Sequence, residues 1–221
     1  LNSCGNNKNN DPNYIKVGIS SGLEQQIAEA AKKEAKEKYN LEVELVAFND
    51  YVIPNEALNN GEIDANAFQH VPYLDEQSKQ RGYKLAVVGN TFVYPIVAYS
   101  KKIKNLAELQ NGSTIVIPND PTNEGRALNI LEANGVIKVK AGVALPTKKD
   151  IIANPYKVEV IELDPAMLPR ALKGNQVDVA LINSNIAMQA GLNPTKDAII
   201  VESKSSPFAN LVAVRPDEVN L

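Results

Sequence analysis

The sequence contains no tryptophan, one cysteine, one histidine and only 5% aromatic residues. With Cys4 alone, an intramolecular disulfide and a cysteine-built metal cluster are both excluded. His70 alone argues against zinc or non-haem iron, whose sites draw on several imidazole or thiolate ligands. No metal and no cofactor is therefore expected. No apolar run approaches the ~20 residues of a membrane span. Charge of one sign is also missing, with 23 basic residues against 26 acidic ones and a net charge of -3. A nucleic-acid binder would carry a basic stripe, so no nucleic-acid partner is expected.

What is present is ordinary for a globular chain: 44% hydrophobic and 22% charged residues. The 221 residues suffice for one large domain or two lobes. The start, Leu1-Asn2-Ser3-Cys4-Gly5, is followed by a polar stretch through Asn13 with almost nothing to bury, which reads as a flexible tether. Leu-x-Ser-Cys-Gly resembles a lipobox, in which the cysteine receives lipid and anchors the protein. The plainer reading is an incidental exposed thiol. Leu1–Ser3 still precede the cysteine, as they would in an unprocessed chain.

From Tyr14 onward, short apolar runs alternate with helical periods. Strands are expected at 15–20, 41–48, 63–67, 84–88, 92–99, 113–117, 157–162, 177–182, 199–202 and 210–214. Helices are expected at 23–39, near 55–60, and at 73–81, 121–133 and 166–173. Such alternation points to an α/β fold with largely parallel sheets. Lys32 to Lys38 alternates in sign, the mark of a solvated helix face with (i, i+4) pairs.

One internal similarity stands out. Residues 57–65 (ALNNGEIDA) align with 171–179 (ALKGNQVDV), each a helix end, a turn, then Ile/Val-Asp opening a strand. Chance produces some such matches. If the match is structural, the chain holds two equivalent halves, with Phe68 against Ile182 and Gln69 against Asn183. Both pairs would lie at carboxyl ends of strands, where open α/β sheets bind ligands.

A second stretch, Pro118 to Leu128, carries Asp120-Pro121, an N-cap residue followed by proline at the first helical position. Gly135 ends that helix. Arg126 sits near the helix start, where the macrodipole does not favour a cation. It could be a surface arginine paired with Glu124 or another carboxylate, or grip a ligand carboxylate with two hydrogen bonds. Asn183 to Asn185 could serve the same ligand or simply form a turn. His70, between Phe68 and Tyr73, could be packing, a binding group or a general base. Catalysis would need a partner group, and no Gly-x-Ser-x-Gly elbow or phosphate-cradling loop is present, so no catalytic residue is assigned.

Phe48 to Leu58, Asp64 to Tyr73, Asn90 to Pro95 and Pro118 to Arg126 together resemble the NlpA family of lipoproteins, which includes methionine-binding lipoproteins of bacterial ABC importers. The likeness runs from about Ile15 to the end. It implies a two-lobed, periplasmic-binding-protein-like α/β fold with ligand in a cleft between lobes. Lobe one would comprise 14–92 and 206–221, lobe two 93–205, and residues 1–13 the lipobox-like start and tether. Hinges would lie at 92–94 and 203–207.

The resemblance also implies roles: Tyr51, Phe68, His70 and Tyr73 around the ligand side chain, Arg126 on its carboxylate, and Asn183 and Asn210 on its backbone end. Partners would be methionine or a related amino acid, an ABC permease with its ATPase, and a membrane through lipid on Cys4. The protein would thus sit in the cell envelope, on the periplasmic side in a Gram-negative cell. Alternatives are another apolar amino acid, a methionine dipeptide, or a hydrolase acting on a carboxylate substrate. Two departures stand against the family pattern. Ile186 occupies a position where many relatives have tyrosine, and relatives continue past Leu221 with C-terminal helices.

Overall fold

A computed structural model describes residues 11–203 and 207–218. Cys4, most of the expected tether and residues 204–206 of the second hinge candidate lie outside the described residues. By internal contact, the described chain forms two compact units. Unit one holds residues 11–70, 77–92 and 210–218; unit two holds 71–76 and 93–209.

Unit one is built on a sheet of β1 (Tyr14–Ser20), β2 (Glu42–Phe48), β3 (Ala65–His70), β4 (Ala86–Val93) and β12 (Ala209–Val214), in the order β2-β1-β3-β12-β4. β1 runs parallel to β2 and β3, and β12 is antiparallel to β3. Helices α1 (Leu23–Tyr39) and α2 (Ile53–Asn59) belong to this unit. Ile19, Leu58, Ile63 and Leu211 are buried in it. Gly18 is required on β1: a Cβ there would stand 2.7 Å from Ile63 Cδ1 and 2.9 Å from Phe48 Cε2.

Unit two carries β5 (Ile96–Tyr99), β6 (Thr114–Pro118), β9 (Glu159–Leu163), β10 (Val179–Asn183) and β11 (Ala198–Val201), in the order β11-β5-β10-β6-β9. A small pair, β7 (Lys138–Val139) and β8 (Ile151–Ala153), stands apart from that sheet. Its helices include α4 (Pro121–Ala133), α5 (Leu168–Lys173) and α6 (Ser184–Gln189). Ile115, Ile117, Leu128, Leu131, Val179 and Leu181 pack into one apolar core. Burying each such side chain is worth roughly 1.5–3 kcal/mol. Helix α3 (Val71–Arg81) begins in unit two and ends in unit one.

The α/β expectation holds, with two corrections. The sheets are mixed rather than largely parallel: β10 is parallel to β6 but antiparallel to β5, and β11 is antiparallel to β5 as well. The run expected as one strand at 92–99 is broken between β4 and β5 at Tyr94-Pro95, where proline removes a ladder donor. Helix α1 has the expected solvated face, with Lys33–Glu37 and Glu34–Lys38 paired at its surface. Among the described residues, no helix is long and apolar enough to cross a membrane.

The internal similarity is structural. In unit one, Asp64 accepts the Lys16 N–H at 2.7 Å through Oδ2 and donates its own N–H to the Lys16 carbonyl at 2.8 Å. In unit two, Asp178 Oδ2 accepts the Thr114 N–H at 2.7 Å, and Asp178 N–H reaches the Thr114 carbonyl at 2.9 Å. Each aspartate satisfies a backbone donor of the neighbouring strand and fixes the entry of a parallel strand. Each also meets a cation, Arg215 at 3.4 Å and Lys102 at 3.0 Å.

Candidate functional site

In unit one the expected residues gather around the end of β3. Phe68 and His70 are buried on that strand, and Tyr51 lies 6.0 Å from Phe68, centroid to centroid, with the rings tilted by 37°. That separation is within the range of a favourable aromatic pair. His70 stands opposite Asn210 in the β3–β12 register. Asn210 uses Nδ2 twice, donating to Glu24 Oε1 at 3.0 Å and to the Phe68 carbonyl at 3.2 Å. Beneath them, Asn55, Asn66 and Gln69 form a closed amide network. Asn55 and Gln69 exchange hydrogen bonds at 2.7 Å in both directions, and Asn66 donates to Asn55 at 2.9 Å while accepting from Gln69 at 3.0 Å. Every one of these amides is buried, and a network so completely satisfied fixes the strand end rigidly.

Glu24 was not foreseen from the sequence. It is the single buried residue of the 17-residue helix α1. Burial raises its carboxyl to about 7, with Ser20 and Asn210 offsetting part of that rise. Its Oε2 is buried with no hydrogen-bond partner among the described residues. A glutamate in the first turn after a Gly22 N-cap was legible; its burial was not.

In unit two, α4 is capped as expected. Asp120 accepts from Asn123 N–H and from Thr122 Oγ1, both at 2.9 Å. Arg126 is buried in the second turn of this helix, 3% exposed, so the surface-arginine alternative does not hold. Its pairing with a carboxylate does occur, but the partner is Glu202. Nε donates to Oε1 at 2.6 Å and Nη2 to Oε2 at 2.5 Å, a two-pronged grip. Glu124 instead accepts the Lys148 N–H at 3.1 Å. Nη2 also reaches the Tyr94 carbonyl at 2.9 Å, and the Phe208 ring lies 4.4 Å from the guanidinium carbon. Nη1 makes no hydrogen bond among the described residues and is not sealed from solvent.

Gly125 lets this helix meet the 145–146 segment closely, since a Cβ there would lie 3.1 Å from Pro146 Cδ and 3.3 Å from the Leu145 backbone.

Asn183 closes β10 and is buried. Its Nδ2 makes one long hydrogen bond to Asn123 at 3.4 Å, and its Oδ1 is buried without a partner among the described residues. Orphaned buried acceptors are rare enough to call for an explanation, and a ligand donor supplies one. The asparagines 183–185 do not form a simple turn: Asn183 is the N-cap of α6, an element the sequence reading missed. Ile186 is buried on that helix, and Tyr73 is buried near the start of α3.

Unit one therefore holds an unmet buried acceptor on α1, at Glu24, and unit two one at the end of β10, at Asn183, together with a buried guanidinium with one open prong. The NlpA lipoprotein family model matches residues 15–221. The D-methionine-binding lipoprotein MetQ of Escherichia coli K12 is 59% identical over 215 residues, covering 97% of this chain and 79% of the relative. A periplasmic substrate-binding protein of an ABC transporter from Coxiella burnetii superposes with a TM-score of 0.90 at 48% identity, covering 93% of this chain and 86% of that one. A nutrient-binding protein from Burkholderia cenocepacia, solved bound to methionine, gives a TM-score of 0.90 at 51% identity with the same coverage. The chain belongs to the NlpA lipoprotein family.

Proposed function

We propose that this protein is the substrate-binding lipoprotein of an ABC importer and that its cargo is methionine. The observation that carries the reading is Arg126: a buried guanidinium, held by Glu202 on two nitrogens, with Nη1 left to donate. A free carboxylate is the natural acceptor for that nitrogen. The 59% identical D-methionine-binding relative and the methionine-bound Burkholderia structure support the choice of amino acid.

In this reading Arg126 holds the carboxylate, while Asn183 and Asn210 meet the backbone end of the amino acid. Tyr51, Phe68, His70 and Tyr73 surround the thioether, which gains roughly 0.3–1.5 kcal/mol from each good sulfur-aromatic contact. The Arg126–Glu202 pair is neutral as a unit, so it suits a zwitterion that brings one charge of each sign. The residues bind and release; none is assigned a chemical step. The loaded protein delivers methionine to a permease powered by a cytoplasmic ATPase. Lipid on Cys4 would hold it at the membrane of the cell envelope.

The test is calorimetric titration into protein unfolded, dialysed and refolded to strip bound ligand. L-methionine, D-methionine, leucine and Gly-Met are the ligands. One-to-one binding led by a methionine enantiomer without turnover is the expected result. Binding led by leucine or Gly-Met would replace the cargo, and release of a reaction product would replace the class of function.

A further inference from the structure

Unit one contains a carboxylate that the binding roles above leave unused. Glu24 is 6% exposed, although the helix that carries it has no other buried residue. An ionisable group is an expensive choice for the one buried position of a solvated helix. Its environment adds to that cost. No cation is paired with Glu24, and Oε2 has no hydrogen-bond partner among the described residues. Its hydrogen bonds come from neutral groups: Ser20 and, at Oε1, the Asn210 amide.

That hydrogen bond has a directional consequence. Glu24 Oε1 and the Phe68 carbonyl are both acceptors, and both are served by Asn210 Nδ2. Two acceptors on one side of an amide fix which end is nitrogen and which is oxygen. Asn210 Oδ1 is thereby turned away from both and accepts no hydrogen bond among the described residues. An amide oxygen held in this way, beside a carboxylate with no counter-charge, attracts a donor that is also a cation. We propose that Glu24 is a positioning residue that makes the Asn210 end of the site select an α-ammonium group, by locking the Asn210 oxygen outward and supplying the uncompensated negative charge behind it. The start of α1 favours a carboxylate in its first turn and so works against the burial that would neutralise it.

This assignment rests on the methionine reading and deepens it. It explains how a site would reject a carboxylic acid that carries the thioether side chain but lacks the amine. Glu24→Gln keeps the size of the side chain and removes the charge; the new amide can also donate to Asn210 and turn it over.

The experiment is calorimetry at pH 8 with L-methionine and its deaminated analogue, 4-(methylsulfanyl)butanoate, on ligand-stripped wild type, E24Q and E24D. Wild type is expected to prefer L-methionine by roughly a hundredfold, the scale of loss when a buried polar group is left without its hydrogen-bonding partner. In E24Q that preference is expected to shrink about tenfold, because L-methionine weakens while the analogue stays within about threefold. E24D, which keeps the charge, is expected to retain most of the preference.

Equal weakening of both ligands in E24Q would mean a merely structural role and overturn the assignment. A wild type that does not distinguish the two ligands would overturn it without any variant, so a poorly folding E24Q leaves the question decidable. Wild type that binds neither compound overturns the methionine reading, and this assignment with it.

Discussion

The two halves of the molecule begin their key strands in the same way and end them differently. Asp64 and Asp178 make matching pairs of backbone hydrogen bonds, to Lys16 and Thr114, and each meets a cation. Five residues further on, the correspondence is lost. Gln69 is locked into a closed amide network with Asn55 and Asn66, whereas its counterpart Asn183 keeps a buried oxygen unpaired. Nearby charge also differs: unit one holds an isolated buried carboxylate, Glu24, and unit two a compensated pair, Arg126–Glu202. What builds the strand is shared, and the polar groups differ at its carboxyl end, where open sheets receive ligands.

That contrast can be broken at several points. The largest effect is expected from Glu202→Ala, which strips a buried guanidinium of its partner and should cost roughly 3–5 kcal/mol of stability by urea unfolding. A loss below about 1 kcal/mol would mean that solvent, not Glu202, compensates Arg126.

Next comes Glu24, whose carboxyl is raised by burial from its ordinary value to about 7. A raised folded value means that the ionised form disfavours folding. The contribution of this group is therefore fully favourable below about pH 4.5 and is lost as pH rises through about 7, a span worth about 3 kcal/mol. Ligand-stripped wild type should lose that much more stability than E24Q between pH 4.5 and pH 8; parallel curves would place Glu24 in water. Asp178 runs the other way. Burial would raise it, but the Thr114 amide and Lys102 outweigh that and hold it below the usual range. Its contribution is present at neutral pH and falls away in acid.

Smaller effects test the shared part. Asp64→Ala and Asp178→Ala should each cost roughly 1–3 kcal/mol, because each leaves a strand-entry N–H without its acceptor. Values that differ by more than about twofold would weaken the equivalence of the two halves. Smallest of all, Tyr51→Leu should remove about 0.5–1.5 kcal/mol of ring-ring interaction with Phe68, read as a modest loss of methionine affinity with little change in unfolding.

Much of this was legible in the sequence, and the reasons are local. Helices α1 and α4 lie where periodicity and the Asp120-Pro121 start put them. The Ile/Val-Asp repeat pointed to a shared junction because a helix end, a turn and a strand start recur within one short run, although each aspartate bonds a residue 48 or 64 positions away. Mixed strand direction was not legible, since it depends on which strands become neighbours. The Glu202 partner of Arg126 lies 76 residues away in sequence, and no local pattern marks it. Glu24 was invisible for a related reason: a glutamate in a helix's first turn is usually solvated, and only its pairing with Asn210, 186 residues on, reveals otherwise.

The most direct test lies at Arg126. L-methionine and L-methioninol, which lacks the carboxylate, should be titrated into wild type and Arg126→Lys, with folding of the variant checked by near-ultraviolet circular dichroism. Lysine keeps the charge but not the fork that serves Glu202 and a ligand together. If Arg126 holds the carboxylate, the variant should lose at least about tenfold in affinity for L-methionine and less than about threefold for L-methioninol. Equal losses for both compounds, or no loss for either, would contradict it.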